Sequence, residues 1–104
     1  DADGLLATPD GDVVAVDARL DDPEGLASQL GVTFRASPPE LMLAAYRRWG
    51  ESFVDHVDGD FAVVIWDAKR RRMVFARDLF GLRPLYVRES HGTSFFASEV
   101  DALA

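Results

Sequence analysis

The longest apolar run in the chain lies near its middle and predicts a β-strand. Residues 61–66 are all apolar, and an aspartate bounds them on each side. A short run of this kind, rich in Val, Ile and aromatic residues, is typical of a strand that is covered on both faces. Trp66 is therefore expected in the core. A short basic link and a second β-rich run at 72–78 follow, which indicates a hairpin.

Two further β-rich runs continue this pattern towards the end of the chain. Residues 86–88 and 94–97 flank a Ser-His-Gly turn signal at 90–92. The sequence therefore predicts four consecutive strands in an antiparallel meander. The aromatic side chains that alternate with smaller residues along these strands are predicted to lie in the core; they are Phe75, Tyr86, Phe95 and Phe96. Residues 99–104 predict the first turn of a helix.

Two capped helices are predicted in the first half of the chain. Residues 23–30 follow Asp22, a good N-cap residue, and begin with proline, which is favoured at the first helical position. Residues 39–49 follow Ser37, and Glu40 stands three positions after that serine. This Ser-x-x-Glu spacing is the capping-box pattern. The second helix is expected to be the more regular of the two.

Shorter elements complete the predicted order. Residues 5–7 and 12–17 predict strands, residues 32–35 a brief extended piece, and residues 51–57 a short helix. Strands come first, then helices, then a run of strands. This order predicts an α/β (α+β) fold in which an antiparallel sheet carries packed helices on one face.

Composition narrows the class of protein. A chain of 104 residues with 48% hydrophobic content is one folded domain at most. The net charge of -7 argues against nucleic acid or an anionic membrane as a partner, and no apolar run is long enough to span a bilayer. The chain contains no cysteine and two scattered histidines, His56 and His91, so no His-based metal site is predicted. The cytoplasm is the expected compartment.

Several motifs in fixed order resemble one family. Residues 61–67 read Phe-Ala-Val-Val-Ile-Trp-Asp, residues 76–86 read Ala-Arg-Asp-Leu-Phe-Gly-Leu-Arg-Pro-Leu-Tyr, and residues 96–99 read Phe-Ala-Ser-Glu. Together they resemble the N-terminal domain of asparagine synthetases, a class II glutamine amidotransferase of the N-terminal-nucleophile (Ntn) hydrolase fold. The resemblance implies a four-layer αββα sandwich, of which residues 1–104 correspond to the later part.

The resemblance also implies a degenerate substrate pocket. After the strand at 12–17 the family reads Asn-Gly-Glu-Ile-Tyr-Asn, whose Asn and Gly help form the oxyanion hole, whereas this chain has Asp17, Ala18 and Arg19. Where the family has an Asp that binds the amino group of glutamine, this chain has Pro38. Judged from its residues alone, the stretch after the strand at 12–17 is a strand end that leads into a helix cap.

The loop at residues 77–84 is a candidate for contact with another domain. In the family it lies near the boundary with the C-terminal ATP-using domain. Considered alone, its residues fit a structural role at a strand end, with glycine supplying a positive φ. The interdomain candidates are Arg77, Asp78, Gly81, Arg83 and Pro84.

Catalysis by these residues alone is not predicted. The family's nucleophile is an N-terminal Cys whose free amine serves as base, and the chain has no Cys. We therefore expect a non-hydrolysing domain or piece of an asparagine-synthetase-like ligase, similar to the β-lactam synthetase and lasso-peptide cyclase branch. Such a ligase would use ATP and Mg²⁺ in a synthetase domain, and no cofactor is expected in this chain. The alternative is a stand-alone scaffold that docks on a separate synthetase. A homo-oligomer is left open.

Two polar features have simpler explanations than a site. The basic residues 69–72 suggest nucleic-acid binding, but a hairpin tip of cations in an acidic chain is more typical of a solvated turn. His56 is expected to be an exposed helix residue and not a ligand.

Overall fold

The computed structural model describes residues 4–78 and 82–89, which form one sheet with two helices packed against it. The sheet has five antiparallel strands in sequence order. The strands are β1 (Leu5–Ala7), β2 (Val13–Leu20), β3 (Gly59–Asp67), β4 (Arg72–Arg77) and β5 (Leu85–Glu89). The helices are α1 (Pro23–Leu30) and α2 (Pro38–Trp49), followed by a 3₁₀ helix at Gly50–His56. The predicted α/β fold class is confirmed.

Both predicted helix caps are present. Asp22 accepts a hydrogen bond from the backbone N–H of Gly25 at 2.9 Å. In α2 the Ser37 side chain accepts from the Glu40 N–H, and the Glu40 carboxylate accepts from the Ser37 N–H at 2.7 Å. These bonds satisfy backbone donors that the first turn of a helix leaves without partners. Helix α1 ends at Gly31, whose φ of 70° is left-handed, a conformation that glycine adopts at little cost.

One face of the sheet holds the core, and we call it the helix face. Phe61, Val63 and Ile65 of β3 are at most 5% exposed, and they join one hydrophobic cluster with Leu41 and Met42 of α2. Because side chains alternate along a strand, every second residue of β3 meets the helices. This burial stabilises the fold mainly through the apolar area that it removes from water.

The opposite face, which we call the open face, is only partly covered in the described part of the chain. Its side chains include Leu5, Ala15, Asp17, Arg19, Asp60, Ala62, Val64, Trp66, Phe75, Arg77 and Tyr86. Met73 lies on the same face but is buried. The expectation that β3 is covered on both faces is wrong for the described residues, since Trp66 is only half-buried. Tyr86, also predicted to be core, is 56% exposed, and Phe75 is half-buried.

Three further expectations differ from the structure or fall outside it. Strand β2 runs to Leu20 instead of ending at Asp17, because it pairs with the whole length of β3. Residues 32–35 contain turns and bends instead of an extended piece. The predicted strand at 94–97, the helical turn at 99–104, and Phe95 and Phe96 lie outside the described residues. The predicted short helix at 51–57 is present as the 3₁₀ helix.

Within residues 4–78 and 82–89, no helix combines the length and the apolar character that crossing a bilayer requires.

Candidate functional site

The predicted pocket residues on β2 are divided between the two faces of the sheet. Asp17 and Arg19 lie on the open face and are exposed, whereas Ala18 packs against the core on the helix face. The division follows from the alternation of side chains in a strand. It would not arise if these residues formed a loop, as the resemblance implies.

Pro38 and Asp17 lie on opposite sides of the sheet. Pro38 is the first residue of α2, which packs on the helix face, whereas Asp17 is on the open face. The last turn of α2 lies near the start of β2, because Arg47 donates to Asp12 at 2.7 Å. At position 38 proline begins the helix and supplies no carboxylate.

A row of three residues crosses the open face beside the predicted pocket. Asp17 is opposite Ala62, and Ala62 is opposite Arg77. Asp17 and Arg77 are thus two strand spacings apart, about 10 Å, with a methyl group between them. Among the described residues, neither side chain has a hydrogen bond or an ion pair. The row therefore presents two exposed groups of opposite charge on the open face, the carboxylate of Asp17 and the guanidinium of Arg77.

The candidate interdomain residues have different surroundings. Arg83 is largely engaged within the domain: its guanidinium donates to the carbonyl oxygen of Val54 at 3.0 Å and reaches Asp58 at 3.5 Å. The backbone N–H of Asp78 donates to the carbonyl oxygen of Phe61 at 2.9 Å. Arg77 is exposed and Pro84 is half-buried; Gly81 lies outside the described residues. These contacts support a structural role for Arg83 and for the backbone of Asp78, and they leave Arg77 accessible.

The most extensive polar network was not predicted from the sequence. The Tyr46 hydroxyl donates to the Asp67 carboxylate at 2.6 Å, and the Arg72 Nε donates to the Tyr46 hydroxyl at 3.0 Å. Arg70 also donates to Asp67 through its backbone and its side chain, and Arg72 bonds Glu51 at 3.1 Å. The available signal was a tyrosine on the apolar stripe of α2, a position where a buried hydroxyl needs a partner.

Burial and these bonds change the acidity of both buried groups. Burial, reinforced by the bond to Asp67, raises the pKa of Tyr46 to about 12. Burial of Asp67 opposes ionisation, but the bonds from Tyr46 and Arg70 outweigh it and hold the pKa of that carboxyl below its ordinary value. Among the described residues, each buried polar side-chain atom has a hydrogen-bond partner. The network joins α2 to the β3–β4 hairpin. A fully satisfied network of this kind is typical of a structural contact and not of a reaction centre.

The basic β3–β4 link and His56 agree with the simpler explanations predicted for them. In the β3–β4 link, Arg70 and Arg72 pair with Asp67 and Glu51, and Lys69 is exposed. His56 is exposed, and its ring stacks on Trp49 with centroids 3.8 Å apart. In the described part of the chain, no group of three or more His, Cys, Asp or Glu side chains is arranged to hold a metal.

Comparison with known proteins identifies the family. A model of the glutamine amidotransferase domain matches residues 24–104, which is most of the chain. The chain belongs to this glutamine amidotransferase domain family. The match covers both helices, the 3₁₀ helix and strands β3 to β5, so it includes the helix face on which the core is built.

The amidotransferase domain is also similar to curated relatives of two kinds. It is 36% identical to the amidase chyE of Penicillium rubens over 82% of this chain and 13% of the relative. It is 38% identical to the glutamine-hydrolyzing asparagine synthetase 3 of Bacillus subtilis over 66% of this chain and 11% of the relative. Asparagine synthetase B of Escherichia coli is 32% identical over 88% of this chain and 17% of the relative. The domain therefore spans between a tenth and a fifth of the length of these relatives.

Proposed function

We propose that this amidotransferase domain does not hydrolyse glutamine and serves as the folded module of an ATP-dependent amide-forming ligase. The asparagine synthetases, the β-lactam synthetases and the lasso-peptide cyclases are the ligase types considered. The observation that carries the proposal is the exposed carboxylate of Asp17 on the open face of β2, at the position where the resembled family has an oxyanion-binding asparagine.

Chemistry explains why Asp17 argues against hydrolysis. Attack on the glutamine amide produces a negatively charged tetrahedral intermediate, which needs preorganised hydrogen-bond donors. An ionised carboxylate donates no hydrogen bond and repels that charge. Loss of one such donor typically lowers the rate about a hundred- to a thousandfold, so this single replacement should lower turnover by about that factor.

Pro38 gives a second, independent argument. A ligand ammonium needs a nearby carboxylate, and proline provides none. At this position proline instead forms the first residue of α2, next to the Ser37–Glu40 capping box. The only carboxylate in this turn, Glu40, already accepts the Ser37 N–H at 2.7 Å. The sequence has thus retained a well-capped helix at the place where the resembled family holds the amino group of glutamine.

The open face supports the view that the domain works inside a larger assembly. A row of apolar side chains crosses it from β1 to β5 through paired positions: Leu5, Ala15, Val64, Phe75 and Tyr86. Leu5 is 57% exposed and Tyr86 is 56% exposed. An apolar sheet face gains stability when a second layer covers it. In an Ntn-type sandwich this layer is a second sheet.

The proposal also requires a synthetase domain that carries out the ATP-dependent reaction. ATP and Mg²⁺ belong to a synthetase domain in the same polypeptide or in a separate chain, and the described residues provide no cluster suited to the metal. We assign no step of the reaction to this domain. Arg77, which is exposed at the end of β4, is the residue that we propose for the interdomain contact.

Calorimetry with glutamine tests the proposal directly, because binding does not require a nucleophile. We expect no binding heat up to millimolar glutamine and no ammonia above background. The glutamine-hydrolyzing asparagine synthetase B of Escherichia coli serves as the positive control. Micromolar binding of glutamine would overturn the interpretation of Asp17 and Pro38.

A stand-alone scaffold that docks on a separate synthetase is the second candidate. The exposed side chains of Leu5 and Tyr86 on the open face favour it, because a partner that covers them would stabilise the domain. The reading frame distinguishes the two candidates: a downstream Ser-Gly-Gly-x-Asp-Ser pyrophosphate loop in the same frame supports the ligase, and its absence there supports the scaffold.

A further inference from the structure

The chain contains aspartyl-glycine bonds at residues 3–4, 10–11 and 58–59. This dipeptide is chemically labile, because glycine has no side chain to hinder attack of its backbone nitrogen on the preceding carboxyl group. Residue 3 lies outside the described residues, so the structure compares the second bond with the third. An aspartate follows the glycine in both cases, and the side chains of Asp10 and Asp58 are 69% and 75% exposed. Since neighbouring sequence and solvent access are matched, a difference in reactivity has to come from local contacts.

The turn that contains Asp10 and Gly11 holds both reacting groups. The N–H of Gly11 donates to the carbonyl oxygen of Thr8 at 3.0 Å, and the Thr8 hydroxyl donates to the Asp10 carboxylate. Arg47 pairs with the same carboxylate at 3.4 Å. The bond from Thr8 holds the pKa of Asp10 below its ordinary value, which keeps the carboxyl in its less reactive, ionised form. Attack at Asp10 therefore requires several contacts to break together.

The backbone nitrogen of Gly59 has a different environment. The Asp58 carbonyl oxygen accepts the N–H of Asp21 at 3.0 Å, so the backbone of Asp58 faces β2. Because successive residues of a paired strand face opposite neighbours, the N–H of Gly59 points to the other side, towards β4. Strand β4 ends at Arg77, which is opposite Ala62. No residue of β4 therefore lies opposite Gly59 to accept its N–H.

The carboxyl group of Asp58 is weakly held. Among the described residues, its ion-pair partner is Arg83, at 3.5 Å. The backbone bond from Asp21 lies just beyond Leu20, the last residue of β2. The end of a strand ladder opens at a lower free energy than its middle. Opening at this end allows Asp58 to turn its carboxyl carbon towards the nitrogen of Gly59.

The packing of β2 on β3 requires glycine at position 59. The φ angle of Gly59 is 136°, in the region that glycine adopts at little cost. A Cβ atom at this position would collide with the carbonyl oxygen of Arg19. Any other residue would therefore strain the beginning of β3, and the structure keeps a labile dipeptide at this point.

We propose that the Asp58–Gly59 bond is a site of spontaneous aspartate isomerisation in the folded domain. The backbone nitrogen of Gly59 attacks the side-chain carboxyl carbon of Asp58. The new C–N bond closes a five-membered succinimide ring, and the carboxyl OH leaves with the amide proton as water. Hydrolysis at the backbone carbonyl carbon then opens the ring to isoaspartate, whereas hydrolysis at the side-chain carbonyl carbon restores aspartate.

The product changes the start of the central strand. Isoaspartate carries the main chain through the former side chain, which adds one carbon atom to the backbone between the 3₁₀ helix and β3. The carbonyl group that accepts the N–H of Asp21 is displaced, so the end of the β2–β3 ladder should weaken. This site does not depend on the proposed function of the domain.

Ageing of the folded chain tests the proposal. The chain is incubated at neutral pH and physiological temperature and digested with trypsin, and electron-transfer dissociation of the fragments distinguishes isoaspartate from aspartate at each position. The two bonds fall in different tryptic fragments, residues 1–19 and 49–69, and the chain contains no asparagine that could deaminate to the same product. Isoaspartate should form at Asp58 at least about fivefold faster than at Asp10, because fewer contacts have to open. In guanidinium-unfolded protein the two rates should become similar.

Two variants separate the contributions. Asp58→Glu keeps the negative charge near Arg83 but would have to close a six-membered ring, which is much slower, so fragment 49–69 should lose the modification at this position. After ageing, the wild type should melt at a lower temperature than Asp58→Glu. Thr8→Val removes the hydroxyl that bonds Asp10 and should raise the rate at Asp10 about two- to tenfold, the factor that one hydrogen bond supplies. The rate at Asp58 should not change in Thr8→Val, and melts before ageing confirm that both variants are folded.

Three results would overturn the proposal. The first is a rate at Asp58 no higher than the rate at Asp10 in the folded chain. The second is a ratio of the two rates that unfolding leaves unchanged, because the difference would then come from sequence alone. The third is a folded Thr8→Val variant in which Asp10 remains as slow as in the wild type.

Discussion

The hydroxyl of Tyr46 donates a 2.6 Å hydrogen bond to the carboxylate of Asp67, which is 4% exposed at the end of the central strand. The two residues are 21 positions apart in sequence, and their contact fixes α2 against the β3–β4 hairpin. A buried carboxylate is tolerated only with partners that satisfy it. Stability of the amidotransferase domain should therefore depend on this pair.

Tyr46→Phe should lower the free energy of unfolding by about 1–3 kcal/mol. The change removes the hydroxyl that bonds Asp67 and Arg72 and keeps the ring, which packs edge-on against Phe53 at 5.9 Å. Urea unfolding measures the loss. A variant as stable as the wild type would show that the other partners of Asp67 satisfy it fully.

Stability should fall at alkaline pH because of the same hydroxyl. The pKa of Tyr46 is raised to about 12 in the folded domain, against an ordinary value of about 10. A raised pKa contributes stability that is complete below the unfolded value and is lost as pH rises through the folded value. The contribution of Tyr46 should therefore disappear between about pH 10 and pH 12. Unfolding free energies from pH 8 upwards, compared with Tyr46→Phe, isolate it; parallel curves for the two proteins would contradict the assignment.

The contribution of Asp67 to stability should be lost at acid pH, whereas that of Tyr46 is lost at alkaline pH. Its burial opposes ionisation, yet the bonds from Tyr46 and Arg70 hold the pKa of the carboxyl below its ordinary value. A depressed pKa contributes stability that is present above the unfolded value, about 3.9, and is lost as pH falls through the folded value. Asp67→Asn should thus show a shallower loss of stability below about pH 4. If its acid transition has the same slope as that of the wild type, other carboxylates dominate the transition.

Adjacent residues of β3 should differ in their contribution to stability. Ile65 is fully buried on the helix face, and Ile65→Ala should cost about 2–5 kcal/mol. Trp66 is half-buried on the open face, so Trp66→Ala should cost about 2 kcal/mol, roughly half of what full burial of a tryptophan gives. Full burial, which the apolar run predicts for Trp66, would instead give a cost of about 3–5 kcal/mol. Urea unfolding of both variants decides the order; a larger loss for Trp66→Ala would mean that the open face is covered in solution.

Arg83→Ala separates a structural role from an interdomain role. The variant loses the bond to the Val54 carbonyl oxygen and should be less stable by about 1–2 kcal/mol. Arg77→Ala, at an exposed position, is the matched control and should change stability by less than about 0.5 kcal/mol. Equal stabilities of the two variants would remove the argument that Arg83 holds its loop against the 3₁₀ helix.

The sequence by itself determined the parts of this domain that depend on local chemistry. Ser37 and Glu40 predicted the capping box, and Asp22 predicted the first cap, because the hydrogen bonds of a helix end involve residues three positions apart. The hairpin around residues 68–71 was predicted because a polar turn between two β-rich runs is itself a local signal.

Only the tertiary structure decided which face of each strand is buried. An uninterrupted apolar run such as residues 61–66 has no polar alternation to mark its inner side, and within residues 4–78 and 82–89 the helices cover one face of the sheet. Pairing with β3 carried β2 on to Leu20, which separated Asp17 from Ala18, the first on the open face and the second in the core. The Tyr46–Asp67 bond was hidden for the same reason, because it joins residues that only the packing of a helix on a sheet brings together.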